Sequence, residues 1–207
     1  MASYLTIARA GETEIEVMRS RILCRVESVT TESAARGVVE RIRKQHWDAR
    51  HHCSAFVIGP DASVQRSNDD GEPSGTAGAP MLDVLRGREV SDVVAVVTRY
   101  FGGVLLGSGG LVRAYSDSVR TTLDGVGVLE RRLVQLFDVT VGHADAGKLE
   151  NELRARGVTV RGIDYAERAT LHVAERVEAA DSLARTVAEV TGGSATAVPI
   201  RTDWVDG

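Results

Sequence analysis

Residues 92–118 read DVVAVVTRYFGGVLLGSGGLVRAYSDS. Residues 92–101 are almost continuously apolar, as expected of a strand covered on both faces rather than one. Five glycines follow, at 102, 103, 107, 109 and 110, and a helical pattern then runs over 111–127 to a stop at Gly125 and Gly127. A buried strand entering a helix through glycines has two uses. It lets helix and sheet approach closely, and it brings backbone amides near a ligand. Arg99 and Arg113 flank the loop and could add charge-assisted bonds to a phosphate. Neither nucleotide motif is present. Gly102 and Gly107 have the spacing of a Walker A loop, but Ser108 stands where the lysine belongs, and Gly107-x-Gly109 fails the dinucleotide pattern because residue 112 is Val.

Working outward, the chain alternates apolar and polar residues from Ile15 to Val29, with a break near Arg19-Ser20-Arg21, which predicts a strand or hairpin. Residues 30–46 predict a helix with Ala35, Val38, Val39 and Ile42 inward and Glu32–Arg36 and Glu40–Lys44 as i,i+4 pairs. Residues 51–59 predict a strand closed by Gly59-Pro60-Asp61. Beyond residue 130 the order is strand 133–141, helix 145–157, strands 158–167 and 169–176, helix 177–193 and strand 194–205, with Pro199 marking an edge. That is the βαββαβ ferredoxin-like motif. The fold class read from the chain is α+β, with one domain over 1–130 (core about 15–125), a second over 131–207 and a joint at 125–132.

The second stretch that carries chemistry is NDDGEPSGTAGAP, residues 68–80, followed by a short helix over 79–89. Ser74 or Thr76 is expected to cap the helix, Gly75 allows a positive φ, and free amides at the helix start favour an anion. Asp70 and Glu72 oppose a bare phosphate there. They could instead cap amides, hold a cation, or pair with an arginine. A rigid turn and cap is the plain alternative, although thirteen residues is a long loop to keep for that alone.

Other chemistries are not favoured. His46, His51, His52 and Cys53 cluster, but adjacent strand residues point to opposite faces, so they are not expected to share a zinc ion. Cys24 and Cys53 are expected to be buried thiols. Ser74 lacks a nucleophile elbow, since residue 72 is Glu. No catalytic residue and no metal or other cofactor is expected. The 207 residues carry a net charge of −4, with 15 basic against 17 acidic residues up to residue 130 and 10 against 12 beyond it. Neither part is a basic nucleic-acid arm, so RNA contact would need a local patch. Nothing in the chain reads as a signal peptide or as the roughly 18 apolar residues of a membrane span, so a cytoplasmic protein with no membrane partner is expected. The sequence carries no signal for a particular oligomeric state.

DGEPSGTAGAP (70–80) and VVTRYFGGVLLGSGGLVRAY (96–115), in that order and with HHCSAF upstream, resemble the Impact/YigZ family over roughly residues 15–125. The tail resembles the domain that follows in its bacterial YigZ branch. The resemblance implies that the first domain has the α/β sandwich fold of ribosomal protein S5 domain 2, and that the second resembles a C-terminal domain of elongation factor G. The matching positions are Asp70, Gly71, Glu72, Pro73, Ser74, Gly75, Thr76, Ala77 and Gly78, then Arg99, Tyr100, Phe101, Gly102, Gly103, Leu106, Gly107, Gly109, Gly110, Leu111, Arg113 and Tyr115. The family supplies no agreed catalytic role for any of them. Eukaryotic members regulate translation under amino-acid starvation through a protein partner, by way of an extension not visible in this chain. The function expected is therefore a non-catalytic binding or regulatory protein that acts on translation, with RNA, the ribosome or a protein as partner. The alternative is a phosphate- or nucleotide-binding enzyme using the 102–110 loop with Asp70 and Glu72.

Overall fold

The computed structural model describes residues 2–207, which divide into two compact units, Ser3–Glu130 and Arg131–Gly207. Both are mixed α and β, as expected.

In the first unit a short strand β1 (Ser3–Ile7) precedes the hairpin β2 (Gly11–Val17) and β3 (Ser20–Ser28). Helix α1 (Glu32–Gln45), strands β4 (His51–Ile58) and β5 (Val64–Asn68), helix α2 (Gly78–Gly87), strand β6 (Val93–Tyr100) and helix α3 (Gly107–Val126) follow. The five-stranded sheet has the order β2-β3-β6-β4-β5, every pair antiparallel. The apolar run of the opening stretch is its central strand, and β6 is buried from Val93 to Arg99. Its side chains alternate between two cores. Val93, Ala95 and Val97 pack with Cys24, Cys53, Met81, Leu85 and Tyr115 under α2 and α3, while Val94 and Val96 pack with Ala35, Val38, Ile42 and Phe56 under α1. By the same alternation Arg99 faces the α2–α3 side and Tyr100 the α1 side.

Helix α1 forms where its stripe predicts. Thr31 caps it, accepting from Ala34 N–H at 3.1 Å, a contact worth about 1 kcal/mol. Two strands were not legible in the sequence. Strand β1 is held by a bond from Ser91 N–H to Leu5 O at 2.8 Å, and β5, reading VQRSN, pairs with β4 at the sheet edge.

The second unit contains most of β7 (Val128–Val141), then α4 (His143–Ala155), β8 (Thr159–Tyr165), β9 (Ala169–Arg176), a single 3₁₀ turn, α5 (Ala180–Thr191) and β10 (Ala197–Asp206). The order β10-β7-β9-β8, antiparallel throughout, is the expected ferredoxin-like arrangement. Leu149, Leu153, Leu171 and Leu183 are its largest buried side chains. Truncating one to alanine would cost about 2–5 kcal/mol. Pro199 lies on the edge strand at an irregular register. Among the described residues no helix is long and apolar enough to cross a membrane.

Candidate functional site

The 68–78 loop is closed by its own acids. Asp69 Oδ2 accepts from Gly75 N–H at 2.9 Å, and Oδ1 from Ala77 N–H at 3.0 Å and Gly78 N–H at 2.7 Å. The amides expected to attract an anion at the start of α2 have therefore found one inside the chain. Burial works to raise the Asp69 pKa, but the three amides outweigh it and hold the carboxyl below its usual range. Ser74 and Thr76 were expected to cap this helix, and neither does. Ser74 is exposed, Thr76 Oγ1 donates to Pro73 O at 2.6 Å, and the first helical turn has no other side-chain cap.

Asp70 faces α1 and β4. Its Oδ1 accepts from Arg43 at 2.8 Å and its Oδ2 from His52 N–H at 2.7 Å, while its carbonyl accepts from His51 Nδ1–H at 2.9 Å. His52 Nε2–H donates to His46 O at 3.0 Å. The histidines thus hold loops in place, and among the described residues no cluster of His, Cys, Asp and Glu is arranged to bind a metal.

Glu72 turns inward. Its side chain is only 2% exposed, and Oε1 accepts from Arg99 Nε at 2.5 Å and from the Tyr115 hydroxyl at 2.7 Å. Burial works against the Arg99 guanidinium, but the hydrogen bond and charge of Glu72 more than offset it, so its pKa ends above the usual value. Cys53 Sγ extends the network, 3.4 Å from the Tyr115 hydroxyl and 3.0 Å from Asp69 O. Burial pushes this thiol up to about 12 and, first among several causes, raises Tyr115 too. Neither is a ready nucleophile or base near neutral pH. Asp70 and Glu72 could hold Mg²⁺ only by giving up these bonds.

The glycine loop is placed by contact rather than by charge. A Cβ on Gly102 would lie 2.0 Å from Arg19 O on the β2–β3 turn, so only glycine fits there. Gly78 is similarly pressed to Asn68, with a Cβ only 2.7 Å from that residue's nitrogen. Between Gly102 and α3 the chain stays open. Val104 is exposed, Leu105 is 85% exposed, and α3 starts at Gly107 without a side-chain cap.

The two loops face each other across one concavity of about 360 Å³. Glu72 and Pro73 form one wall, and Leu105 to Ser108 form the other. Arg99, His51, Phe101 and Leu111 lie between them, with Arg50 at the same cleft. The β4–β6 register opposes His51 to Arg99, which brings Arg50 to this end of the sheet. Two arginines against one glutamate line the cleft, and Arg50 is exposed while Arg99 is tied to Glu72.

The predicted site residues therefore separate. Glu72, Pro73, Arg99 and Gly107 line the cleft, while Asp70, Gly71, Gly75, Thr76 and Gly78 build the loop behind its wall. Gly103 and Gly109 are exposed beside the cleft, and Gly110 sits under Leu106. Tyr100 is on the other face of the sheet, where its hydroxyl is 3.0 Å from His46 Nδ1 and donates to Asp48 at 3.2 Å. Arg113 is exposed on the second turn of α3 and is not part of the cleft wall. Sequence reasoning missed Arg50, His51 and Leu105 in the cleft, and Asp69 behind it.

Residues 18–123 match the model of the Impact N-terminal domain, and residues 139–194 match a domain of unknown function, DUF1949. The chain is 44% identical to IMPACT family member YvyE of Bacillus subtilis over 191 residues, covering 92% of this chain and 88% of that protein. It is 47% identical to IMPACT family member YigZ of Escherichia coli over 125 residues, covering 59% of this chain and 61% of that protein. A crystal structure described as a hypothetical protein is similar over 97% of this chain and 98% of its own, at 34% identity and a TM-score of 0.66. These matches bear out the resemblance drawn from the two motifs.

Proposed function

The chain belongs to the Impact family, and from that premise we propose that it is a binding protein of translation that contacts RNA at the surface around its glycine loop. The observation that carries this reading is where unpaired arginines stand. Arg21, Arg36, Arg41, Arg43, Arg88, Arg99 and Arg120 of the first unit are ion-paired within the chain. Among the described residues five exposed arginines of this unit stand in no ion pair: Arg9, which donates to Gly125 O at the far end of α3, Arg66 on the edge strand β5, and Arg19, Arg50 and Arg113. Arg19 is on the turn that Gly102 packs against, Arg50 is at the cleft, and Arg113 is on the second turn of α3.

Arg19 and Arg50 lie beside, and Arg113 one turn along α3 from, a loop whose amides at the start of α3 have no side-chain cap. Phosphate oxygens accept from both kinds of donor. The acids of the neighbouring loop are already bonded to their own chain, so they present little free negative charge to such a ligand. The local patch answers the objection raised by the net charge of −4. The ferredoxin-like second unit, which resembles an elongation-factor domain, supports a setting in translation by analogy of fold.

The test is co-sedimentation with ribosomes and filter binding of RNA. Arg50→Glu with Arg113→Glu is expected to abolish the association while the melting temperature stays within a few degrees of wild type. Unchanged co-sedimentation and RNA retention would overturn the reading. Arg99 is the wrong residue to replace, because its loss strands Glu72 in the core and unfolding would be mistaken for lost binding.

A further inference from the structure

We infer that the RNA partner is single-stranded and that its unpaired bases stack on Phe101 and Trp47, near Arg50. This rests on the RNA-binding reading above and names the form of RNA that the surface takes. Trp47 is 81% exposed and Phe101 45% exposed. Large aromatics left in water are the feature that distinguishes a single-strand surface from one that only neutralises phosphates. Duplex RNA, recognised by shape and backbone, gives such rings nothing to stack on.

The two rings belong to segments that meet at one end of the sheet, the turn entering β4 and the residue following β6. Trp47 stands on the turn that follows α1, closed by a bond from Ala49 N–H to His46 O at 3.0 Å. The same turn delivers Arg50 to the cleft. Arg50 is three positions after Trp47, which limits their Cα atoms to roughly 11 Å even in an extended chain. Phe101 is in the cleft with Arg50, and the Arg99 guanidinium carbon lies 5.8 Å from its ring centroid. Arg50 thus shares the cleft with Phe101, lies three positions along the chain from Trp47, and is in no ion pair among the described residues, so it is placed to take a phosphate joining two stacked nucleotides.

Trp47 also furnishes the probe. The chain has two tryptophans, and Trp204→Phe leaves Trp47 as the only one. In that background octauridine is titrated against tryptophan emission, and the same strand carrying a fluorescent label is followed by anisotropy. An RNA hairpin with a closed stem serves as the duplex probe. The expected result is saturable quenching by octauridine, weaker binding of the hairpin, and about a ten-fold loss of octauridine affinity in Phe101→Ala and in Trp47→Ala, with Trp47→Phe restoring most of it. Binding of the labelled strand with unchanged Trp47 emission and unchanged affinity in Phe101→Ala would overturn base stacking and leave the RNA-binding reading standing. Equal affinity for hairpin and strand would do the same. No binding of either RNA would overturn both.

Discussion

The loop over 68–78 and the loop over 101–107 begin from similar residues, rich in glycine and leading into helices, yet they finish opposite in character. In the first, Asp69 takes three amides, Asp70 takes Arg43 and a β4 amide, and Glu72 takes Arg99 and Tyr115. In the second, the amides at the start of α3 have no side-chain cap and Leu105 stands in solvent. Buried polar groups are costly unless satisfied, so the first loop is tied down by its own chain, whereas the second leads into a helix whose start has no side-chain cap. The difference separates a loop tied down by its own chain from one left open to solvent, and it predicts that substitutions in the two loops fail in different ways.

The largest effect should come from Glu72→Ala. It leaves the Arg99 guanidinium buried without its partner, and breaking such a pair costs about 3–5 kcal/mol. Chemical denaturation should show the midpoint falling accordingly, and a midpoint near wild type would mean that the network does not support the loop. Asp69→Ala should cost less, about 1–2 kcal/mol, because the three amides at the start of α2 can turn partly to water. Replacing Asp69 by Asn should restore part of the loss.

The two units should also respond to pH with opposite sign. The Asp69 pKa is lowered in the folded state. Its contribution is therefore complete above the unfolded value of about 3.9 and is lost as pH falls through the folded value. On the sheet of the second unit, His172 Nδ1 lies 2.7 Å from Asp138 and Nε2 lies 3.0 Å from Asp164, so both nitrogens can donate only when the ring is charged. The bonds to Asp164 and then Asp138 raise its pKa. Its contribution is complete below the unfolded value of about 6.5 and is lost as pH rises through the folded value. The histidine NMR titration of wild type should show this ring titrating above the ordinary value, and Asp164→Asn should move it back down. The smallest effect on stability should come from Arg50→Ala and Leu105→Ser, within about 0.5 kcal/mol, as for exposed positions without partners. Those two are expected to lose RNA affinity instead.

Much of the fold could be read from residue periodicity. The run Val93–Val97 reads as a doubly covered strand, the stripe at Ala35, Val38 and Ile42 marked α1, and the second unit alternated clearly enough to give βαββαβ. Strand β5 could not be read, because VQRSN has no apolar face and takes its hydrogen bonds from β4. In the site, the sequence raised the pairing of an acid with an arginine, and Glu72 with Arg99 fulfils it. The role of Asp69 was hidden because its carboxylate reaches amides six to nine residues ahead, where a helix cap is ordinarily sought at the next turn. Arg50 was hidden for a related reason, since only the β4–β6 register brings it to the glycine loop.

The most direct test of the division between support and contact is the salt dependence of single-stranded RNA binding, measured for wild type and Arg50→Ala at matched folding. Three arginines acting on phosphates predict a slope of log affinity against log salt of roughly −2 for a single strand. Removing one should make that slope shallower by roughly 0.7. A wild-type affinity that does not change with salt, or an Arg50→Ala slope equal to that of wild type, would contradict the account.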